Sequence, residues 1–193
     1  MQNLGFPPLK RLALVIFIIA PLAAWSLVKP IRVVAPGLGG ATCISASVCT
    51  DDPAKARQAE MLYAEAIAFV DKTVSPLRGQ PKIVFCSTQA CADAFGLGAR
   101  SAVTVGTIGT VIGPRAWHDY YVRHELIHYL QAERCGTLAL SLKPSWFVEG
   151  MAYAMSQDPR TPLSEPFESD RSQFRSWYET IDKAALWLAA EQL

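Results

Sequence analysis

Between Pro114 and Gly136 the chain reads RAWHDYYVRHELIHYLQAERC, with no glycine or proline to interrupt it. A stretch of this kind reads as one long helix from Arg115 to Cys135, closed by Gly136. All three of the chain's histidines lie in it, and two of them, His124 and His128, are four residues apart. On a helix such a pair is offset by about 40° and separated by about 6 Å along the axis, so both imidazoles can aim at one point and hold one metal ion. Glu125 projects about 100° further round, placed to touch a water on that metal rather than the metal itself. A zinc ion held with one position open requires a third protein ligand. Glu149, in the next expected helix, is the best placed residue.

The rest of the chain supplies a scaffold for that helix. Its 193 residues are 51% hydrophobic, enough for one packed domain but not for two of usual size. With 18 basic and 17 acidic residues there is no broad basic field, which excludes a phosphate backbone as partner. Asp52-Pro53 opens a helix on which Leu62, Ala66, Phe69 and Val70 recur at helical spacing until Ser75-Pro76. Lys82 to Phe85 reads as a short strand, Ser87 to Phe95 as a short helix closed by Gly96, and SAVTVGTIGTVIG as alternating strands. A further helix, capped by Ser145, runs over WFVEGMAYAMSQ. After a proline-rich connection, Phe174, Trp177, Tyr178, Ile181, Ala185 and Leu188 form the apolar face of a C-terminal amphipathic helix. The expected fold is therefore α+β: a small mixed or antiparallel sheet packed on a metal-binding helix pair, with that C-terminal helix outside it.

Lys10-Arg11 precede an uncharged apolar run from Leu12 to Val28, after which Lys29 and Arg32 restore charge. Its seventeen residues would make roughly 26 Å of helix, just short of a hydrocarbon core about 30 Å thick. The run suits either a secretory signal or an N-terminal membrane anchor, and either places the remainder outside the cytoplasm. Residues 1–32 form this segment, residues 33–50 a linker containing glycine and cysteine, and residues 51–193 the compact domain. Five cysteines fit an exported chain, with Cys43 and Cys49 in one short loop, Cys86 and Cys91 in another, and Cys135 left over. Several pairings of five cysteines are open, and proximity alone favours Cys43 with Cys49 and Cys86 with Cys91.

The pattern of His124, Glu125, His128 and a downstream glutamate in WFVEGMA resembles the gluzincin metallopeptidases, the thermolysin-like superfamily, over about residues 83–156. In that family HExxH is followed by a ligand glutamate on a neighbouring helix; here Glu149 lies 21 residues after His128. The resemblance implies Zn2+ as cofactor, Glu125 as general base, and the segment from Ser101 to Ile112 as the strand that holds extended substrate. A metzincin continuation would require glycine at Gln131 and histidine at Arg134. The chain departs from the thermolysin-like pattern at Tyr153, where that family commonly carries an aspartate that orients the first histidine. Tyr153, His118 and Tyr129 are the candidates for the missing orienting or oxyanion-stabilising group. The implied activity is hydrolysis of peptides or unstructured protein outside the cytoplasm. The alternative from another class is an inactive, zinc-stabilised binding or assembly module of the cell envelope.

Overall fold

The computed structural model describes residues 12–19 and 29–193. A five-stranded mixed sheet lies at its centre: β1 (Thr42–Cys43), β2 (Val48–Thr50), β3 (Ile83–Phe85), β4 (Ala102–Val105) and β5 (Gly109–Ile112), in the order β1-β2-β3-β5-β4. The strands β2, β3 and β5 run parallel, while β1 and β4 are antiparallel edges. Val48, Cys49 and Thr50 are buried, as are Ile83 to Phe85 and Thr110 to Ile112. This is the pattern of strands covered on both faces.

Seven α-helices surround the sheet among the described residues: α1 (Ala56–Thr73), α2 (Gln89–Ala94), α3 (Asp119–Cys135), α4 (Thr137–Leu140), α5 (Ser145–Met155), α6 (Phe167–Thr180) and α7 (Leu186–Glu191). The alternation of β3 sends Ile83 and Phe85 into the main core, where they meet Ala66 and Val70 of α1 and Leu126, Ile127 and Leu130 of α3. Val84 and Val111 point the other way, into a smaller cluster with Phe95, Leu97 and Val33. The helix α3 is thus held against the sheet by one apolar face, leaving its histidine face to open beside β4.

The mixed sheet and the helix pair match the expected α+β class, and both expected disulfides, Cys43–Cys49 and Cys86–Cys91, are formed, with Cys135 free. Three boundaries differ from expectation. Residues 33–50 are not simply a linker: they supply β1 and β2, whose two and three residues are too short to show a period in sequence. The long helix starts at Asp119 rather than Arg115, because Ala116 N–H turns back to Gly113 O and the Trp117 indole N–H reaches Cys86 O at 2.8 Å. The C-terminal helix is two pieces. It begins at Phe167 and stops at Thr180, where Ile181 is extended and Asp182 caps a new turn by accepting from Ala184 N–H.

Of the N-terminal apolar run, residues 20–28 lie outside the described residues. Among the described residues no helix is long and apolar enough to cross a membrane. Its first part exposes apolar side chains, Phe17 at 76%.

Candidate metal centre

His124 and His128 stand on consecutive turns of α3, and α5 crosses that face with Glu149 turned toward them. His124 Nε2 lies 3.0 Å from His128 Nε2, and the two Glu149 oxygens lie 3.6 Å from the respective ring nitrogens. A tetrahedral zinc with bonds of about 2.0–2.1 Å separates its ligand atoms by about 3.3 Å; each 3.6 Å contact uses a different Glu149 oxygen, and one ligand atom from each of the three residues lies within 4.8 Å of the others. The group of His124, His128 and Glu149 is able to hold a metal ion.

The residue after Glu149 explains how α6 approaches α5 so closely. A Cβ at Gly150 would lie 2.2 Å from Asp170 O and 3.0 Å from Phe174 Cβ, so only glycine lets α6 press against α5 at that level. The dipeptide Glu149-Gly150 therefore places a ligand on one face of α5 and a close packing contact on another.

Charge at the site is carried by Glu149 and His128. Burial opposes charge on the Glu149 carboxyl, but its hydrogen bonds and charge interactions with His124 and His128 hold it well below the usual carboxylate range. Burial likewise opposes charge on His128, yet Glu149, Glu125 and the hydrogen bond to Gln131 outweigh it and push the ring up to about 9. Without metal the cluster is an imidazolium against a carboxylate; metal would replace the proton.

Glu125 is 6% exposed and sits beside the edge strand. Thr104 Oγ1 lies 2.7 Å from Glu125 Oε2 and 2.8 Å from Thr110 Oγ1. A hydroxyl has one proton, so when Thr104 donates it to the carboxylate, Thr110 donates to Thr104.

Comparison with protein-family models, curated proteins and solved structures gives no match. What the site can do is therefore read from its own side chains.

Tyr153 is brought to the site and packs its ring edge-on against His124, with centroids 4.4 Å apart. It stands where the thermolysin-like pattern has an aspartate, and holds His124 by ring packing. Burial first, then the Glu149 charge, push its phenol up to about 12, with Arg160 pulling the other way, so it is an O–H donor at neutral pH. The other two sequence candidates lie elsewhere. His118 is exposed at the start of α3 and stacks on Tyr120, centroids 5.6 Å apart. Tyr129 lies one residue beyond His128, about 100° round the helix; a Cβ at Gly79 would fall 2.7 Å from its hydroxyl, and Glu133 and Tyr63 are its charged and aromatic neighbours.

The cleft above the histidines has a volume of about 570 Å³ and is lined by Thr104, Tyr121, Tyr153, Arg160 and Phe167 as well as the histidines and glutamates. Its far wall is the segment after α5, the proline-rich connection of the sequence, of which Phe167 onward is helix α6. Arg160 anchors that wall: it is paired with Asp158, donates to the Tyr121 hydroxyl at 3.0 Å, and lies 4.7 Å above the Tyr121 ring. The buried Arg171 donates to Arg160 O at 3.0 Å, fixing the same segment from behind.

Two further residues, Gln131 and Thr104, contact the candidate site residues. Gln131 accepts from His128 Nδ1 at 2.9 Å, and its position three residues after His128 on the same helix was the signal for it. Thr104 reaches Glu125 across the fold, and nothing local in its strand announces that contact.

Proposed function

We propose that the protein is a zinc-dependent peptide hydrolase of the gluzincin type, acting outside the cytoplasm. The observation that carries this reading is the convergence of His124, His128 and Glu149 on one point of a cleft that also contains Glu125 and the edge strand β4. Two imidazole nitrogens and one carboxylate oxygen are a donor set suited to zinc, with a fourth position left for water.

When bound, zinc lowers the pKa of its water toward about 7 and polarises a peptide carbonyl, the two effects that amide hydrolysis requires. The chain's own groups do the rest. Glu125 keeps one oxygen on Thr104 and uses the other to take the proton from the attacking water, then returns it to the departing amine. The Tyr153 phenol, neutral and beside the ligands, donates toward the carbonyl oxygen as negative charge grows there. Strand β4 is the last in its sheet, so its outer edge offers N–H and C=O groups to an extended peptide laid beside it. A chain of 193 residues leaves little for an extended substrate-binding lobe, which favours short or unstructured peptides over folded proteins.

Two disulfides are compatible with an oxidising compartment, and the basic residues before the apolar N-terminal run fit export. The protein is accordingly proposed to be secreted, or anchored with its domain on the periplasmic or extracellular side.

A second reading keeps the zinc and drops the chemistry: a zinc-stapled binding or assembly module of the envelope. The Thr104–Glu125 hydrogen bond favours it, since that contact gives the carboxylate a structural use. The cleft beside Glu125 favours the enzyme. Incubating zinc-loaded protein with a mixture of unstructured peptides, and reading new termini by mass spectrometry, separates the two. Hydrolysis by the wild type that disappears in Glu125→Gln supports the enzyme; the same cleavage in both proteins sinks the proposed mechanism.

A further inference from the structure

We infer that Gln131 is a positioning residue that fixes the tautomer of His128 and ties the two ligand-bearing helices into one cradle. This rests on the reading of His124, His128 and Glu149 as a metal centre. The Gln131 side chain is fully buried. Its Nε2 lies 3.1 Å from Phe147 O and 3.1 Å from Val148 O. Carbonyl oxygens only accept, so the atom facing them is the NH2 group, and both its protons are used there. That leaves Oε1, an acceptor, facing His128 Nδ1 at 2.9 Å. The proton of the neutral ring is therefore on Nδ1, and its lone pair is on Nε2, the nitrogen turned toward His124 and Glu149.

Two backbone carbonyls on α5 thus decide which nitrogen of a side chain on α3 is free to bind. Phe147 and Val148 immediately precede Glu149, so the amide that orients the second ligand also holds the turn that carries the third. An apolar residue of similar length would fill the volume and leave His128 Nδ1 without its acceptor. Loss of such an outer partner lowers metal affinity about 10- to 100-fold.

The test compares the full chain with Gln131→Met and Gln131→Leu. One readout is 15N NMR of the His128 ring nitrogens in metal-free protein, at alkaline pH where the ring is neutral. The other is zinc or cobalt affinity by chelator competition. The expected result is a proton on Nδ1 in the wild type, a mixture of tautomers in the variants, and metal affinity lowered about 10- to 100-fold. A packing role alone would lower Tm and leave tautomer and affinity as in the wild type, and that result overturns the inference. Should neither variant fold, the wild-type spectrum decides: a proton on Nε2 overturns it, and one on Nδ1 supports it. Failure of the metal reading looks different. A wild type that binds neither zinc nor cobalt, yet carries the proton on Nδ1, removes the metal function and leaves the tautomer assignment standing.

Discussion

Thr104 and Glu125 are joined by a 2.7 Å hydrogen bond between the edge strand β4 and the motif helix α3. The bond ties the strand proposed to receive substrate to the carboxylate proposed to move the proton, and leaves one carboxylate oxygen free. A hydrogen bond to a charged group is worth about 1.5–3 kcal/mol, so losing it permits Glu125 to turn away from its working position. Thr104→Val is expected to keep bound zinc and lose about tenfold or more in turnover, with Thr104→Ser restoring most of it. Peptide hydrolysis at saturating substrate, with zinc measured on the same samples, checks this. Equal turnover in the valine variant would remove the orienting role.

Gly150 predicts a coupling between packing and metal binding. A methyl group there would fall 2.2 Å from Asp170 O, and backbone cannot step aside as a flexible side-chain tip can. Overpacking of this kind costs about 1–3 kcal/mol, several degrees in Tm for a chain of this size. Since Glu149 is the adjacent residue, Gly150→Ala is expected to weaken zinc binding as well. Thermal melts with and without zinc read both effects, and an unchanged Tm would show that α6 can withdraw freely.

Metal binding should depend on pH in a defined direction. The His128 ring, raised from 6.5 to about 9 against the penalty of burial, must lose its proton before it binds metal. Apparent zinc affinity is therefore expected to climb roughly tenfold per pH unit and to level off above about 9. In the metal-free protein the raised pKa contributes stability that is complete below 6.5 and is lost as pH rises through about 9. The lowered pKa of Glu149 contributes stability present above 4.5 and lost as pH falls further. Metal-free Tm should thus decline between pH 6.5 and 9 while zinc affinity increases. Affinity that stays flat across that window would contradict the ion pair.

The Cys43–Cys49 disulfide closes a sequence separation of 6 at the sheet edge opposite β4. Opening a loop this short costs about 2 kcal/mol by the chain-entropy account. Replacing both cysteines by serine is expected to lower the urea midpoint accordingly and to leave zinc content unchanged. Zinc lost from the folded variant would mean that β1 and β2 support the site more directly.

What could be read from sequence follows from how local each feature is. His124, Glu125 and His128 share one uninterrupted helix, so their geometry follows from helical spacing alone, and Glu149 stands out as a glutamate in the apolar WFVEGMA segment. Gln131 lies in the same helix, but its role depends on carbonyls of α5 that the sequence does not place. Thr104 requires knowledge of which strand borders α3. The strands β1 and β2 are recognisable only once β3 pairs with β2, because three residues carry no periodicity. Tyr129 and His118 had the right chemistry in the right segment; helical phase turns the first toward Glu133 and Tyr63, and the turn before Asp119 leaves the second exposed.

The central claim is that His124, His128 and Glu149 hold one zinc ion while Glu125 stays free for chemistry. Elemental analysis of the purified protein after zinc loading and buffer exchange tests it most directly, with wild type beside Glu149→Ala and Glu125→Gln. The account predicts one zinc per chain in the wild type and in Glu125→Gln, and little in Glu149→Ala. A folded wild type without zinc, or a Glu149→Ala variant that retains it in full, would contradict the account.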